Sequence, residues 1–296
     1  METFFSFLER RVDDSSSLLC IGLDPYIPDL KEATAASALD FCLNIVKQTV
    51  PYAAAFKPNA AFFEIFGAEG WDALKKLISA IHKESARIGS HIPVILDAKR
   101  GDIASTTEAY AKSAFEQLNA DSITLSPYLG KDSIEPFLQD HEKGVFLLCK
   151  TSNPGSGDFQ DLILNVGADG NLPASVSAMK GRPPGMPLRL YEYVAHLAQQ
   201  WNTKNNIGLV VGATHLDALA SIRAIAPQMW FLSPGVGAQG GELELALRMG
   251  LRTDGKGMLI NVSRGISRAE SPAKAAAELR DEILEIRNKI ISQKVK

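Results

Sequence analysis

Eight short apolar runs, each closed by polar, glycine or proline residues, recur along the 296-residue chain. They are Leu18–Asp24, Tyr52–Asn59, Ile92–Lys99, Asp121–Tyr128, Gly144–Ser152, Ile207–Thr214, Met229–Gly235 and Gly257–Arg264. Hydrophobicity that is nearly continuous, without alternation, marks strands buried on both faces, as in a parallel sheet covered by helices. Between most of the runs apolar residues return with a helical period. In Thr34–Val50 the residues Ala35, Leu39, Cys42, Ile45, Val46 and Val50 share one stripe, and Trp71–Ile88, Thr106–Leu118 and Ser271–Ile291 repeat the pattern. The alternation predicts an α/β fold, a (β/α)₈ TIM barrel. An open doubly wound sheet is the alternative, and eight strands favour the barrel. One barrel domain is expected over residues 1–296, with a long loop insertion around 154–187.

That insertion, rich in glycine, proline and serine, follows the fifth run and would lie over the strand C-termini, where barrels carry their active sites. The seventh run leads into "SPGVGAQGG", which lacks the spacing of a dinucleotide-binding loop but suits a phosphate-gripping turn.

Composition narrows the classes of partner. Hydrophobic residues make up 46% and charged residues 22%, as in a folded globular enzyme. A net charge of −3 provides no basic field to recruit nucleic acid. A phosphorylated small molecule stays open, because a few local cations can hold one phosphate. Cys20, Cys42 and Cys149 form no C-x-x-C pair and read as buried, reduced thiols of a cytoplasmic protein. The opening "METFFSFLERR" is too short and too charged for a signal peptide, and no apolar run reaches transmembrane length.

Charges and amides stand at the C-terminal ends of the runs, where a barrel places function. Asp24 ends the first, and Lys57 and Asn59 the second. The third carries Asp97 and Lys99, with Asp102 just beyond. The fifth ends in Lys150, Thr151, Ser152 and Asn153, Gln239 follows the seventh, and Arg264 ends the eighth. Each has a plainer alternative. Asp24 in "LDPY" suits a turn former. A lysine inside "AAAFKPN" must find a partner or lose its charge. Residues two apart on a strand share a face, so Asp97 and Lys99 can point together into the mouth, although a structural ion pair would have the same spacing.

These residues and their neighbours carry a resemblance. "DAKRGDI" resembles the D-x-K-x-x-D-I motif of the orotidine 5′-phosphate decarboxylases, and Thr106 follows Asp102 at the family's spacing. "CIGLDP", "FKPN", "TSNPGS", "SPGVGAQGG" and "NVSRGI" resemble the other loops in order, from Asp24 to Arg264. The forms quoted are similar to the longer bacterial-type subgroup. Arg100-Gly101 and Ala104-Ser105 stand where several relatives differ.

The resemblance implies a homodimeric barrel that converts orotidine 5′-monophosphate to UMP and CO₂ with no metal and no cofactor. It implies that Lys57, Asp97 and Lys99 form a charged array with Asp102 of the partner subunit, and that Lys99 donates the proton. Asp24 and Lys57 would contact the ribose beside Asn59, and Thr106 would reach across the dimer with Asp102. Ser152, with Thr151 beside it, would meet the pyrimidine, and Gln239 and Arg264 would hold the phosphate. Two rivals remain at this level. Other phosphosugar enzymes of the superfamily share D-x-K-x-x-D but use Mg²⁺, and they lack the "FKPN" lysine and the "TSNP" and "GAQGG" loops. The tripeptide Arg100-Gly101-Asp102 admits a non-enzymatic adhesion ligand, which would need a secreted, exposed loop.

Overall fold

A computed structural model describes residues 2–164, 188–235 and 240–294. The eight runs become eight parallel strands: β1 (Leu19–Leu23), β2 (Ala55–Pro58), β3 (Ile95–Arg100), β4 (Ser122–Leu125), β5 (Gly144–Lys150), β6 (Ile207–Val211), β7 (Phe231–Pro234) and β8 (Met258–Val262). Each is hydrogen-bonded to its neighbours in the order β2-β1-β8-β7-β6-β5-β4-β3. Parallel bridges Phe56↔Val94 and Asn59↔Asp97 join β2 to β3 and close the ring. β1, β2 and β4 are buried along their whole length. That two-sided burial explains their unbroken apolar sequence.

The helices cover the ring. They are α1 (Phe4–Ser15), α2 (Ala35–Thr49), α3 (Ala61–Glu64), α4 (Gly67–Arg87), α5 (Ala104–Lys112), α6 (Leu190–Trp201), α7 (Leu216–Ile225), α8 (Gly240–Gly250), α9 (Arg264–Ser267) and α10 (Pro272–Lys294). On α2 the expected stripe buries Ala35, Cys42, Ile45 and Val46, and the Thr34 hydroxyl caps the first turn by accepting from Ser37 N–H. The pattern over Thr106–Leu118 is α-helical only to Lys112, after which Ser113–Gln117 widens into a π-turn. Between β4 and β5 the chain makes two 3₁₀ turns, Pro127–Leu129 and Glu135–Leu138, in place of an α-helix. Pro127 and Pro136 lie in the first turns, where no backbone N–H is needed, and Gly130 with φ +95° ends the first of them. No helix among the described residues is long and apolar enough to cross a membrane. Cys20, Cys42 and Cys149 are all free and buried.

The insertion expected around 154–187 is described as far as Leu164. Its start is a 3₁₀ turn, Pro154–Asp158, and Ile163–Leu164 pairs antiparallel with Leu188–Arg189, so the described ends of the excursion meet. Residues 165–187 lie outside the described part.

The N-terminal helix α1 was not foreseen from the periodicity of the barrel. It plugs the floor of the ring. Phe4 and Phe5 are buried edge-on against Phe146, at centroid distances of 6.4 and 5.5 Å, and Phe5 stacks on Trp230 at 6.5 Å. Gly144 and Gly208 make room for these rings, since a Cβ on Gly144 would lie 2.2 Å from Phe4 Cδ1.

Candidate active site

Lys57, Asp97 and Lys99 converge at the barrel mouth. Lys57 reaches Asp97 from the neighbouring strand, Nζ to Oδ2 at 2.7 Å, and Lys99 reaches the other oxygen, Nζ to Oδ1 at 2.5 Å. The sequence separates Lys57 from Asp97 by 40 residues, and closure of β2 on β3 brings them together. Lys57 is 5% and Asp97 9% exposed, whereas the Lys99 side chain is 51% exposed. One carboxylate is thus clamped between a buried cation and an accessible one.

The shared direction of Asp97 and Lys99 has a different cause from the one expected. β3 does not keep regular alternation here. Its register against β4 shifts between Leu96 and Arg100, and Lys99 has φ +50°, a left-handed conformation that is rare and strained away from glycine. Thr124 on β4 stabilises the bulge. Its hydroxyl accepts from the backbone N–H of Ala98 (3.1 Å) and of Lys99 (2.9 Å) and donates to Asp97 Oδ1 at 3.0 Å. Thr124 was missed from the sequence. Its only signal is a polar residue in the middle of the apolar run "DSITLSPY", a common position for a structural hydroxyl.

The charges of this array reinforce each other. Burial opposes ionisation of Lys57, but the Asp97 and Asp24 carboxylates outweigh it and hold the ammonium above its ordinary value. Burial likewise opposes ionisation of Asp97, and Lys57 and Lys99 together bring its carboxyl well below the usual carboxylate range. Cys20 on β1 is pushed up to about 12 by its burial, so it stands as a neutral thiol and not a nucleophile.

Asp24 faces a cavity of about 550 Å³ lined also by Gly235, Asn261, Ser263 and Arg264. Asp24 Oδ1, Asn261 Oδ1 and Ser263 Oγ are buried there without a hydrogen-bond partner among the described residues. Orphaned buried acceptors and hydroxyls converging on one cavity are what a polar ligand would satisfy. Asn261 and Ser263 were also passed over in "NVSRGI", where only Arg264 drew attention. Ser263 packs so closely on β1 that a Cβ on Gly22 would lie 2.7 Å from its Cβ. Arg264 is exposed at the start of α9, and no carboxylate pairs with it among the described residues. Gly235 closes this side with φ +92°. Gln239, expected beside Arg264, lies outside the described residues.

The β5 end forms the remaining wall. Thr151 is held by Gln160, which accepts from its N–H at 2.8 Å and donates to its hydroxyl at 2.9 Å, and by His215 Nε2, 3.1 Å from its carbonyl. Ser152 is exposed against Gly212 and Gly235, at the ends of β6 and β7. Lys150 does not join Lys57, Asp97 and Lys99. It is buried on Asp161 Oδ2 at 2.8 Å and Ser156 Oγ at 3.1 Å, and so anchors the start of the insertion. Asn59 bridges to Asp97 and caps the next turn, accepting from Ala61 N–H at 3.2 Å.

Two expected residues do not join the array within this chain. The Asp102 carboxylate accepts from its neighbour Ile103 N–H at 2.8 Å, and the Thr106 side chain is exposed on the first turn of α5. The tripeptide Arg100-Gly101-Asp102 is no free loop. Arg100 ends β3, pairs with Glu64 and lies over the Tyr110 ring at 5.0 Å, and Gly101 packs on the Ser126 carbonyl.

Comparison with known proteins accords with this mouth. The family model described as Orotidine 5′-phosphate decarboxylase / HUMPS family matches residues 17–181 and 185–279. The chain is 47% identical to an orotidine 5′-phosphate decarboxylase of Roseiflexus castenholzii over 291 residues, covering 97% of each chain. It superposes on Leishmania donovani OMP decarboxylase with a TM-score of 0.80 at 50% identity, over 97% of this chain and 99% of that one. Against Leishmania donovani UMP synthase the TM-score is 0.81 at 52% identity, and the match spans 97% of this chain and 57% of that one. With eight parallel strands, a lysine–aspartate–lysine mouth and these relatives, the chain belongs to the orotidine 5′-phosphate decarboxylase / HUMPS family, and its class is that of the decarboxylases, carbon–carbon lyases.

Proposed function

We propose that the chain converts orotidine 5′-monophosphate to UMP and CO₂, the last step of de novo pyrimidine nucleotide synthesis, in the cytoplasm and without metal or cofactor. The observation that carries this reading is the clamp of Asp97 between Lys57 and Lys99, open on the Lys99 side.

Breaking the C6–carboxylate bond leaves an electron pair in the ring plane, where the π system delocalises it poorly. Stabilisation must come from fixed charges. The Lys99 ammonium stands beside C6, stabilises the developing carbanion, and passes its proton to that electron pair. It then regains a proton from solvent. Asp97, held ionised by the two lysines, faces the departing carboxylate. Two like charges about 4 Å apart, at an effective dielectric of about 20, repel by roughly 4 kcal/mol. Relief of that repulsion accounts for at most about three powers of ten in rate. The rest comes from carbanion stabilisation and from binding energy gained at the phosphate. Asp24, Lys57 and Asn59 meet the ribose, Thr151 and Ser152 the pyrimidine, and Arg264 with Gln239 the phosphate. The Arg264 guanidinium, with no carboxylate on it among the described residues, offers a bidentate grip.

The same reading makes the protein a homodimer with shared sites. Asp102 and Thr106 stand at the rim without joining their own array, and exposed apolar residues stand next to Asp102 and in the segments that follow β4 and β5, where the Tyr128 ring lies 6.5 Å from that of Phe159. Ile103, Leu129 and Phe159 are exposed, and Tyr128 is 80% exposed. Such a patch suits burial against a second copy, which would bring Asp102 and Thr106 to the neighbouring mouth.

Loss of orotidine 5′-monophosphate absorbance on adding pure protein in EDTA tests the activity. Turnover is expected with EDTA present. Absence of turnover, or turnover only with Mg²⁺ restored, would move the chain to the enediolate chemistry of the family. Mixing inactive Lys99→Ala and Asp102→Ala subunits tests the sharing, with activity expected to return in the heterodimers. No return after demonstrated subunit exchange would place Asp102 outside the partner's site.

A further inference from the structure

At the opposite end of the strands two of the chain's five histidines converge on one carboxylate. His82 lies on α4, His91 in the loop before β3, and Asp121 directly before β4. His82 Nε2 is 3.0 Å from Asp121 Oδ2, and His91 Nε2 is 3.2 Å from Asp121 Oδ1. The three ligand atoms lie within 4.8 Å of one another. Among the described residues no other group of histidines, cysteines and carboxylates converges in this way. We propose that His82, His91 and Asp121 form a floor site for one divalent transition-metal ion of the zinc class, separate from the mouth.

The donor set is two imidazoles and one carboxylate, the borderline ligands that zinc prefers. In a tetrahedral site with bonds of about 2.0–2.2 Å, neighbouring donor atoms stand roughly 3.3–3.5 Å apart. The nitrogen-to-oxygen distances, 3.0 Å from His82 to Oδ2 and 3.2 Å from His91 to Oδ1, are each close to that edge but fall on different oxygens, so the carboxylate turns to offer one oxygen to both nitrogens when the ion binds. Closing the nitrogen-to-nitrogen edge takes a movement of up to about 1.4 Å, which His91 can make because its side chain is 44% exposed.

The surroundings hold the carboxylate for that task. Val94 N–H donates to Asp121 Oδ2 at 2.9 Å, the kind of outer bond that orients a metal-bound carboxylate. A cavity of about 240 Å³ opens beside His91 and Asp121, between Phe7 and Glu142, with room for a water as fourth ligand. The ion would replace the hydrogens that the two imidazoles direct at Asp121, moving each ring to its Nδ1–H form. Asn119, now 3.4 Å from His82 Nδ1, can accept that hydrogen by turning its amide. Lys143 Nζ, 3.9 Å from Asp121 Oδ1, is a competing cation and limits the affinity. Asp121 lies 30 residues beyond His91 and the two histidines stand on different elements, so no spacing motif announces the site.

The test uses untagged, metal-stripped, full-length protein titrated with Zn²⁺ in competition with a chromophoric chelator, and with Co²⁺ followed by visible absorption. One equivalent of Zn²⁺ per chain is expected, with a tetrahedral-intensity Co²⁺ spectrum. His91→Ala, whose side chain is 44% exposed, should weaken Zn²⁺ at least tenfold, and His82→Gln should do the same, with both variants shown to be folded by circular dichroism. Decarboxylation should be equal with and without the metal. Superimposable isotherms for wild type and His91→Ala, or a Co²⁺ spectrum of six-coordinate intensity in both, would overturn the site and leave a structural His–Asp–His network.

Discussion

The two ends of the barrel are built from the same strands and use their polar groups in opposite ways. On the floor, cations and amides are directed at backbone carbonyls. Arg223 donates to the carbonyls of Gly250, Met229 and Gly257, Asn206 to those of Asp140 and Lys143, and Lys143 to that of Ala120. These bonds seal loop ends around the aromatic plug of Phe4, Phe5, Phe146 and Trp230. At the mouth the lysines are directed at a carboxylate, a hydroxyl holds a strained lysine, and Asp24, Asn261 and Ser263 keep unpaired atoms. The floor is satisfied largely by its own backbone, and the mouth keeps buried polar atoms that a bound polar ligand would satisfy. Under the proposed function, stability and chemistry are thereby separated along the strand axis.

The separation can be broken or sharpened by mutation, and the largest effect belongs to Lys99. Its side chain is half exposed, so Lys99→Ala should leave the fold intact while decarboxylation falls by at least about a thousandfold. Turnover like that of the wild type, measured by substrate absorbance, would remove the mouth from the chemistry. The mirror experiment is Phe5→Ala. It opens a cavity under the ring and should cost about 3–5 kcal/mol in urea denaturation, with the KM of the surviving folded enzyme unchanged. A large KM shift would show that the floor reaches the mouth.

Thr124→Val gives a smaller effect that crosses the boundary. It removes the acceptor of two backbone N–H groups and a donor to Asp97, and should cost about 1–3 kcal/mol of stability. It should also lower kcat roughly tenfold or more by releasing Lys99 from its position. Loss of stability alone would make Thr124 a purely structural residue.

The smallest effect is in pH. Asp97 titrates below its ordinary value, so the stability it contributes is complete above the unfolded carboxylate value of about 4 and is lost as acid protonates the folded group. Lys57 titrates above its ordinary value, so its share is complete below about 10 and is lost as pH rises through the folded value. Urea midpoints of Asp97→Asn should therefore fall less steeply on acidification than those of the wild type. Identical acid limbs would mean that the array contributes nothing to folding.

Much of the mouth was legible beforehand because a charge inside an apolar strand is conspicuous. Lys57 in "AAAFKPN" and Asp97 after "IPVIL" had to be paired, and the structure pairs them with each other. Thr124, Asn261 and Ser263 were not legible. Hydroxyls and amides are common in strands for plain reasons, and only their neighbours reveal whether they are satisfied. The pairing of Asp97 with Lys99 was anticipated for a reason the backbone does not follow, since a bulge and a left-handed residue replace regular alternation.

By itself the sequence determined the eight strands, the helices over Thr34–Val50, Trp71–Ile88 and Ser271–Ile291, and which strand ends carry charge, because burial on both faces and helical period are local signals. Tertiary structure alone decided that β2 closes on β3, that a threonine 27 residues away clamps Asp97, that the N-terminal phenylalanines fill the floor, and that two histidines meet one aspartate beneath it. These are contacts between segments far apart in the chain. Their geometry depends on how the ring closes and packs, which no local pattern encodes.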